Sequence, residues 1–478
     1  MKLSKLILLI ICFWSSYVWS GNPREKLNST SNQTAYEQEV NKLLVSLHKI
    51  TKVPGYSVTV VHQGKTVASV ATGFTDLSKQ ISTTEESIFR LASVSKVIGA
   101  TMLAELVIDG RLDPDAEIGR YIPRLNKRYR KITVRQLVSH TSGMPHYQAK
   151  DYDIYDKHYE SASQAISTLK GRSLLSEPGA DYYYSSHGYT LAGAVYEYIT
   201  KQPLSVGVPD FVKRWTGRNT PIIEDVLALP SNTSNLYRYS ADDIVNEEFG
   251  EKSYSVFGAG LSSTSLDLAH LGYQVLNKSK HNPSYQKLLF SPALTSDGEP
   301  VATPNYQVGF GWRIGTDMQG RIVYHHAGAT PGARSVLVLY PEFGLSISIL
   351  SNVSWVAGID KMAYSIGGLY LDQAKPVTIQ PNTKYSAVFA GAKFTGRISC
   401  NNTNCFLENE QTSYSKWQNK FNSTAEYIDD WPIYSYSSAQ GDRLLMVSKT
   451  GIYTLLSEDG RYQVPINQDK IYSVQLIE

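Results

Sequence analysis

The chain has 478 residues, 42% of them hydrophobic and 19% charged, with a net charge of only +3. That length accommodates one large domain with a smaller one, and the composition is that of a globular protein. The charge lacks the basic excess of a dedicated nucleic-acid binder, so no nucleic-acid partner is expected.

Lys2 and Lys5 precede an apolar run from Leu6 to Trp14, and Val18-Trp19-Ser20 offers cleavage positions before Gly21. This pattern reads as a secretory signal peptide over residues 1–20. The run is shorter than the roughly 20 residues of a spanning helix, and no later segment is apolar enough to span a membrane. A secreted or periplasmic protein without a stable membrane span is expected. Residues 21–34 are polar and read as a disordered linker. Val40, Leu43, Leu44 and Leu47 then recur at helical spacing within 35–50. YSVTVVH and TVASVATGF flank Gln63-Gly64 and read as a β-hairpin. An apolar helix follows from about Ser93 to Gly110. Residues 111–250 alternate helical stretches with Tyr-, Asp-, Gly- and Pro-rich loops and read as a mostly helical lobe. A further helix starts near Ser265. Strands return at RIVYHHA, RSVLVLYP and LSISILSN, and 356–374 reads as a last helix. Early strands, a helical insertion and late strands imply one antiparallel sheet shared by both halves of residues 35–375, an α/β architecture with flanking helices. Residues 376–478 are β-rich and read as a small separate domain. Within them Cys400 and Cys405 flank NNTN and are expected to form a small disulfide loop in an oxidising compartment. Asn-x-Ser/Thr sequons occur at Asn28, Asn32, Asn232, Asn277, Asn352, Asn401 and Asn422 and matter only in a eukaryotic secretory pathway.

Ser93 and Lys96 lie three residues apart, on one face of the apolar helix. A serine hydroxyl becomes a useful nucleophile when a base removes its proton, and a lysine of lowered pKa one turn away can do so. The spacing alone is weak, since it recurs at Ser46/Lys49, Ser167/Lys170, Ser284/Lys287 and Ser413/Lys416. Two segments single out Ser93. YYYSSHGYTLAGAVYEYI puts Tyr184-Ser185-Ser186 in a loop before an apolar helix, and YHHAGATPGARSVLVLYP puts His326-Ala327-Gly328 at a strand end. In this order the segments resemble the serine β-lactamase and penicillin-binding-protein superfamily, in its class C-like branch with esterases and D-amino-acid-releasing peptidases. VRQLVSHTSGMP, GAGLSSTSLDLAHLG and GFGWRI are similar too, and the resemblance runs from about Glu37 to Leu371.

The resemblance implies an acyl-enzyme mechanism. Ser93 would be acylated, Lys96 would take its proton, and Tyr184 would serve as the partner acid/base. The N–H groups of Ser93 and Ala329 would form the oxyanion hole. His326 would position substrate or balance its charge, and Gly328 would let substrate approach the strand. Position 186 is Ser where many relatives carry Asn, and position 326 is His where β-lactamases commonly carry Lys. A largely neutral histidine leaves a β-lactam carboxylate without its permanent cation. Both departures turn the expectation from antibiotic resistance toward an exported serine hydrolase acting on a small-molecule ester, amide or peptide. The alternatives are a D-stereospecific peptidase, carboxypeptidase or β-lactamase and, in another class, a non-catalytic binding protein on the same fold. No metal or organic cofactor is implied. His140 and His146 read as loop residues rather than metal ligands, since no carboxylate or cysteine completes a set, and Arg90 reads as a structural ion-pair partner.

Overall fold

A computed structural model describes residues 30–148, 151, 157–240, 243–389, 392–401, 404–413, 431–448, 451–458, 461–463 and 473–477. The signal segment, most of the expected linker and the sequons at Asn28 and Asn422 lie outside the described residues. Helix α1 (Thr30–Thr51) begins inside the segment expected to be disordered.

An eight-stranded sheet, antiparallel throughout, organises the first part of the chain. Its strands are β1 (Gly55–His62), β2 (Lys65–Asp76), β3 (Ile81–Ser82), β4 (Gln307–Val308), β5 (Arg313–Thr316), β6 (Ile322–Thr330), β7 (Ala333–Tyr340) and β8 (Leu345–Ser351). Their order is β3-β2-β1-β8-β7-β6-β5-β4, so the N-terminal hairpin pairs with β8 and both halves of the chain build one sheet. Gln63 and Gly64 both have positive φ, the backbone of the tight turn that suits a twisted hairpin.

Strands β7 and β8 are buried along both faces, which is why they read as near-continuous apolar runs. Leu337 and Leu339 point into the core built around α2 (Ser95–Ile108). Val336 and Val338 point the other way, into the core with α1 and the late helix α5 (Ile359–Leu371). The inserted lobe holds α3 (Ser186–Thr200), a second long helix over Leu204–Thr216 and several shorter ones. It is less helical than expected, for it also contains the hairpin Leu236–Ser240 with Asp243–Glu247. Helix α4 (Ser265–His281) returns the chain to the sheet, where it packs on β1, β7 and β8. Asn352 is fully buried, accepting from Gly55 N–H and donating to the Phe74 carbonyl, so this sequon is a structural asparagine.

Beyond α5 the chain winds through β9 (Lys384–Phe389), β10 (Ala392–Cys400), β11 (Cys405–Ser413), β12 (Trp431–Ser437), β13 (Arg443–Ser448), β14 (Gly451–Glu458), β15 (Arg461–Gln463) and β16 (Ser473–Ile477). Each strand pairs with the next and β16 pairs with β9, so the sheet closes as an antiparallel up-and-down barrel. Tyr385, Phe394, Leu407, Trp431, Met446 and Leu455 are among the side chains that fill it. A disulfide joins Cys400 to Cys405 at one hairpin. On its outer face Tyr434, Tyr436, Leu445, Val447 and Ile452 belong to the same core as α1 and α5.

Candidate active site

Ser93 lies in the short 3-10 turn Ala92–Val94 that leads into α2. Ala92 has a φ of 48°, uncommon for a residue with a Cβ. The turn is held from both sides: Leu91 N–H donates to the Leu261 carbonyl, and Ser335 Oγ on β7 donates to the Leu91 carbonyl at 2.5 Å. Ser93 keeps part of its surface open while its neighbours are buried.

Lys96, on the first turn of α2, is fully buried. Its Nζ lies 3.2 Å from Ser93 Oγ, 2.8 Å from Ser186 Oγ and 2.6 Å from the Gly258 carbonyl. Among the described residues no carboxylate comes within ion-pair distance of it. Burial, and secondarily the Arg313 charge, hold its pKa well below the ordinary lysine value of 10.5. A neutral amine here can donate to Ser186 and Gly258 and turn its lone pair to the Ser93 hydroxyl.

Tyr184 covers this pair. Lys96 Nζ sits 4.8 Å from the centre of its ring. Burial raises the phenol pKa, while a hydrogen bond with Ser93 and the Arg313 charge pull it back. Ser186 opens α3, and Ser185 caps that helix by accepting from Gly188 N–H. The four residues Ser93, Lys96, Tyr184 and Ser186, drawn from two distant parts of the sequence, thus meet at one point.

His326 on β6 closes the far side, with its ring 6.4 Å from that of Tyr184 and Nδ1 2.8 Å from the Ala327 carbonyl. It is almost completely buried. Desolvation, then the Arg313 charge, pushes its pKa well below 6.5 and favours the neutral ring. A neutral ring offers hydrogen bonding rather than a positive charge at this end of the cluster. The cation at this end is Arg313 on β5, whose guanidinium lies 4.4 Å above the Tyr306 ring. Among the described residues no carboxylate pairs with it.

Gly328 lies against the nucleophile turn. A Cβ there would lie 2.3 Å from the Leu91 carbonyl, 2.3 Å from Ser335 Oγ and 3.0 Å from Ser93 N. The glycine makes room for the nucleophile turn, because β6 passes directly beside Ser93. Ala329, the next residue, is exposed. Arg90 is a structural ion-pair partner: it is buried against Glu224, which also accepts from Ser262 Oγ at 2.9 Å. Cys400 and Cys405 lie in the barrel, apart from this cluster.

Three neighbours were not assigned to the site from sequence: His140, His146 and Arg313. Ser185 N–H donates to His140 Nδ1 at 3.0 Å, and Ser186 N–H donates to His146 Nδ1 at 3.2 Å. All three lie within or beside the VRQLVSHTSGMP and GFGWRI segments, whose similarity was the available signal. Among the described residues no group of three His, Cys, Asp or Glu could hold a metal ion.

The family model described as Beta-lactamase matches residues 40–358. A curated relative, penicillin-binding protein 4* of Bacillus subtilis (strain 168), is 25% identical over 300 residues, covering 59% of this chain and 64% of the relative. The chain spans just under two thirds of the length of the first curated relatives it matches. Among solved structures, a D-stereospecific amidohydrolase from Streptomyces sp. superposes with a TM-score of 0.55 at 21% identity, covering 68% of this chain and 95% of that one. The octameric penicillin-binding protein homologue from Pyrococcus abyssi superposes with a TM-score of 0.60 at 16% identity, covering 91% and 99%.

Proposed function

The chain belongs to the beta-lactamase family, and from that premise we propose that it is a serine hydrolase cleaving an ester or amide through a Ser93 acyl-enzyme. The observation that carries this reading is the fully buried Lys96, unpaired with any described carboxylate and 3.2 Å from a partly open Ser93 hydroxyl. Neutral Lys96 takes the hydroxyl proton as Oγ bonds the substrate carbonyl carbon. The carbonyl oxygen becomes an oxyanion, facing the N–H groups of Ser93 and Ala329. Its collapse expels the alcohol or amine, which takes a proton from Tyr184, and the phenolate regains one from the Lys96 ammonium. Water then attacks the Ser93 ester as the same pair takes its proton, and collapse breaks the acyl–Oγ bond, releasing the acid while that proton returns to Ser93 Oγ. Ser93→Ala is expected to abolish hydrolysis of a short-chain p-nitrophenyl ester; full activity in that variant would refute the assignment.

Arg313 favours a second reading. Its guanidinium, without a carboxylate partner among the described residues, supplies the cation that position 326 lacks. A substrate bearing a free carboxylate, as for a D-stereospecific carboxypeptidase or a β-lactamase, would find its counter-ion there. Export is part of the same proposal, supported by the residue 1–20 pattern and by the Cys400–Cys405 disulfide, which suits an oxidising compartment.

A further inference from the structure

Two stretches of chain meet behind the acid/base pair, and four hydrogen bonds run between them. Tyr183 N–H donates to the His140 carbonyl at 2.8 Å, and Ser185 N–H to His140 Nδ1 at 3.0 Å. Ser185 Oγ donates to the Pro145 carbonyl at 2.8 Å, and Ser186 N–H to His146 Nδ1 at 3.2 Å. The first N–H groups of a helix have no partner within it. Ser186 opens α3, so His146 satisfies one of these donors from outside. The same ring stands edge-on to Tyr184, with centroids 5.3 Å apart. Ser186 in turn accepts from Lys96 Nζ at 2.8 Å.

We propose that His146 is a positioning residue: by accepting the Ser186 amide it fixes the hydroxyl that orients Lys96 and walls the ring of Tyr184. The proposal rests on the serine-hydrolase reading above. The role needs a lone pair on Nδ1, which places the imidazole proton on Nε2. Partial desolvation, reinforced whenever Lys96 carries a proton, lowers the His146 pKa to about 4, so the neutral ring prevails at neutral pH. His140 makes the parallel bond to Ser185 but is buried, with a φ of 64°, and belongs to the framework of the turn. His146 keeps an exposed edge, so it can be replaced without opening the core.

The test compares His146→Ala, His146→Asn and His146→Gln for hydrolysis of a p-nitrophenyl ester and for the rate of Ser93 labelling by a fluorophosphonate. The asparagine amide oxygen takes the place of Nδ1, whereas the glutamine oxygen lies where Nε2 was. The loss of one net hydrogen bond predicts about a tenfold fall in kcat for His146→Ala with KM within about twofold. His146→Asn should recover to within about threefold of the parent, and His146→Gln should not. Unchanged kcat in His146→Ala overturns the proposal. So does equal behaviour of the Asn and Gln variants, which decides the matter even if the alanine variant fails to fold. Absence of Ser93 labelling in the parent protein refutes the serine-hydrolase reading itself, and the positioning role with it.

Discussion

Lys96 is an amine buried without a described carboxylate partner, and that isolation makes it a candidate base. A like charge nearby disfavours the protonated form, and Arg313 acts this way on Lys96. Acylation should therefore fall as pH drops through the Lys96 pKa, with the acid limb well below the ordinary lysine value. Removing the guanidinium raises that pKa, so Arg313→Gln should move the acid limb to higher pH. If the second reading holds, the same variant should raise KM at least tenfold for a carboxylate-bearing peptide and leave a neutral ester little changed. A pH–rate profile on both substrates checks this; a limb that stays in place contradicts the electrostatic account. At this scale the sequence was informative where chemistry dictates spacing, as for Ser93 and Lys96. It already suggested a neutral side chain at position 326 but did not reach Arg313, because whether that guanidinium is paired depends on what folding brings near it.

The strands and helices explain why these residues meet. The hairpin turn at Gln63-Gly64, the apolar strands β7 and β8 and helix α2 were legible because turn residues and apolar runs follow from local geometry and burial. The approach of β6 to the nucleophile turn was not, because it joins residues more than 230 positions apart in sequence. That approach makes Gly328 a steric requirement. Gly328→Ala would drive a methyl group into the Leu91 carbonyl and Ser335 Oγ. The expected cost is about 1–3 kcal/mol from overpacking. A displaced Ser93 turn should also slow labelling at least tenfold. Thermal melts with labelling rates test this, and parental values for both would contradict the packing account. The pairing of His140 and His146 with Ser185 and Ser186 was hidden for the same reason: a histidine in a loop announces neither its tautomer nor its partner.

For the whole molecule, the barrel and the sheet behave as parts of one packed body. Asp372, at the end of α5, accepts from Arg321 beside β6, from Gln319 at 2.8 Å and from Arg443 of β13 at 2.5 Å. Tyr436 OH donates to Glu39 of α1 at 2.8 Å, adding a second tie. Arg443 and Asp372 are both buried, so deleting one partner leaves an uncompensated charge. Asp372→Ala should destabilise the protein by about 3–5 kcal/mol, read as a lower midpoint in chemical denaturation; an unshifted midpoint would show that the clasp contributes nothing. The β-rich character of the last hundred residues was plain in the sequence. Its closure into a barrel was not, since closure depends on β16 returning to β9 and not on any local pattern. The central claim remains the acyl-enzyme at Ser93, and intact-protein mass spectrometry during turnover of activated esters and D-residue peptides tests it most directly. The account predicts a mass increase equal to one acyl group, located on the Ser93 peptide and lost in Ser93→Ala. An adduct elsewhere, or substrate turnover undiminished in Ser93→Ala, would contradict it.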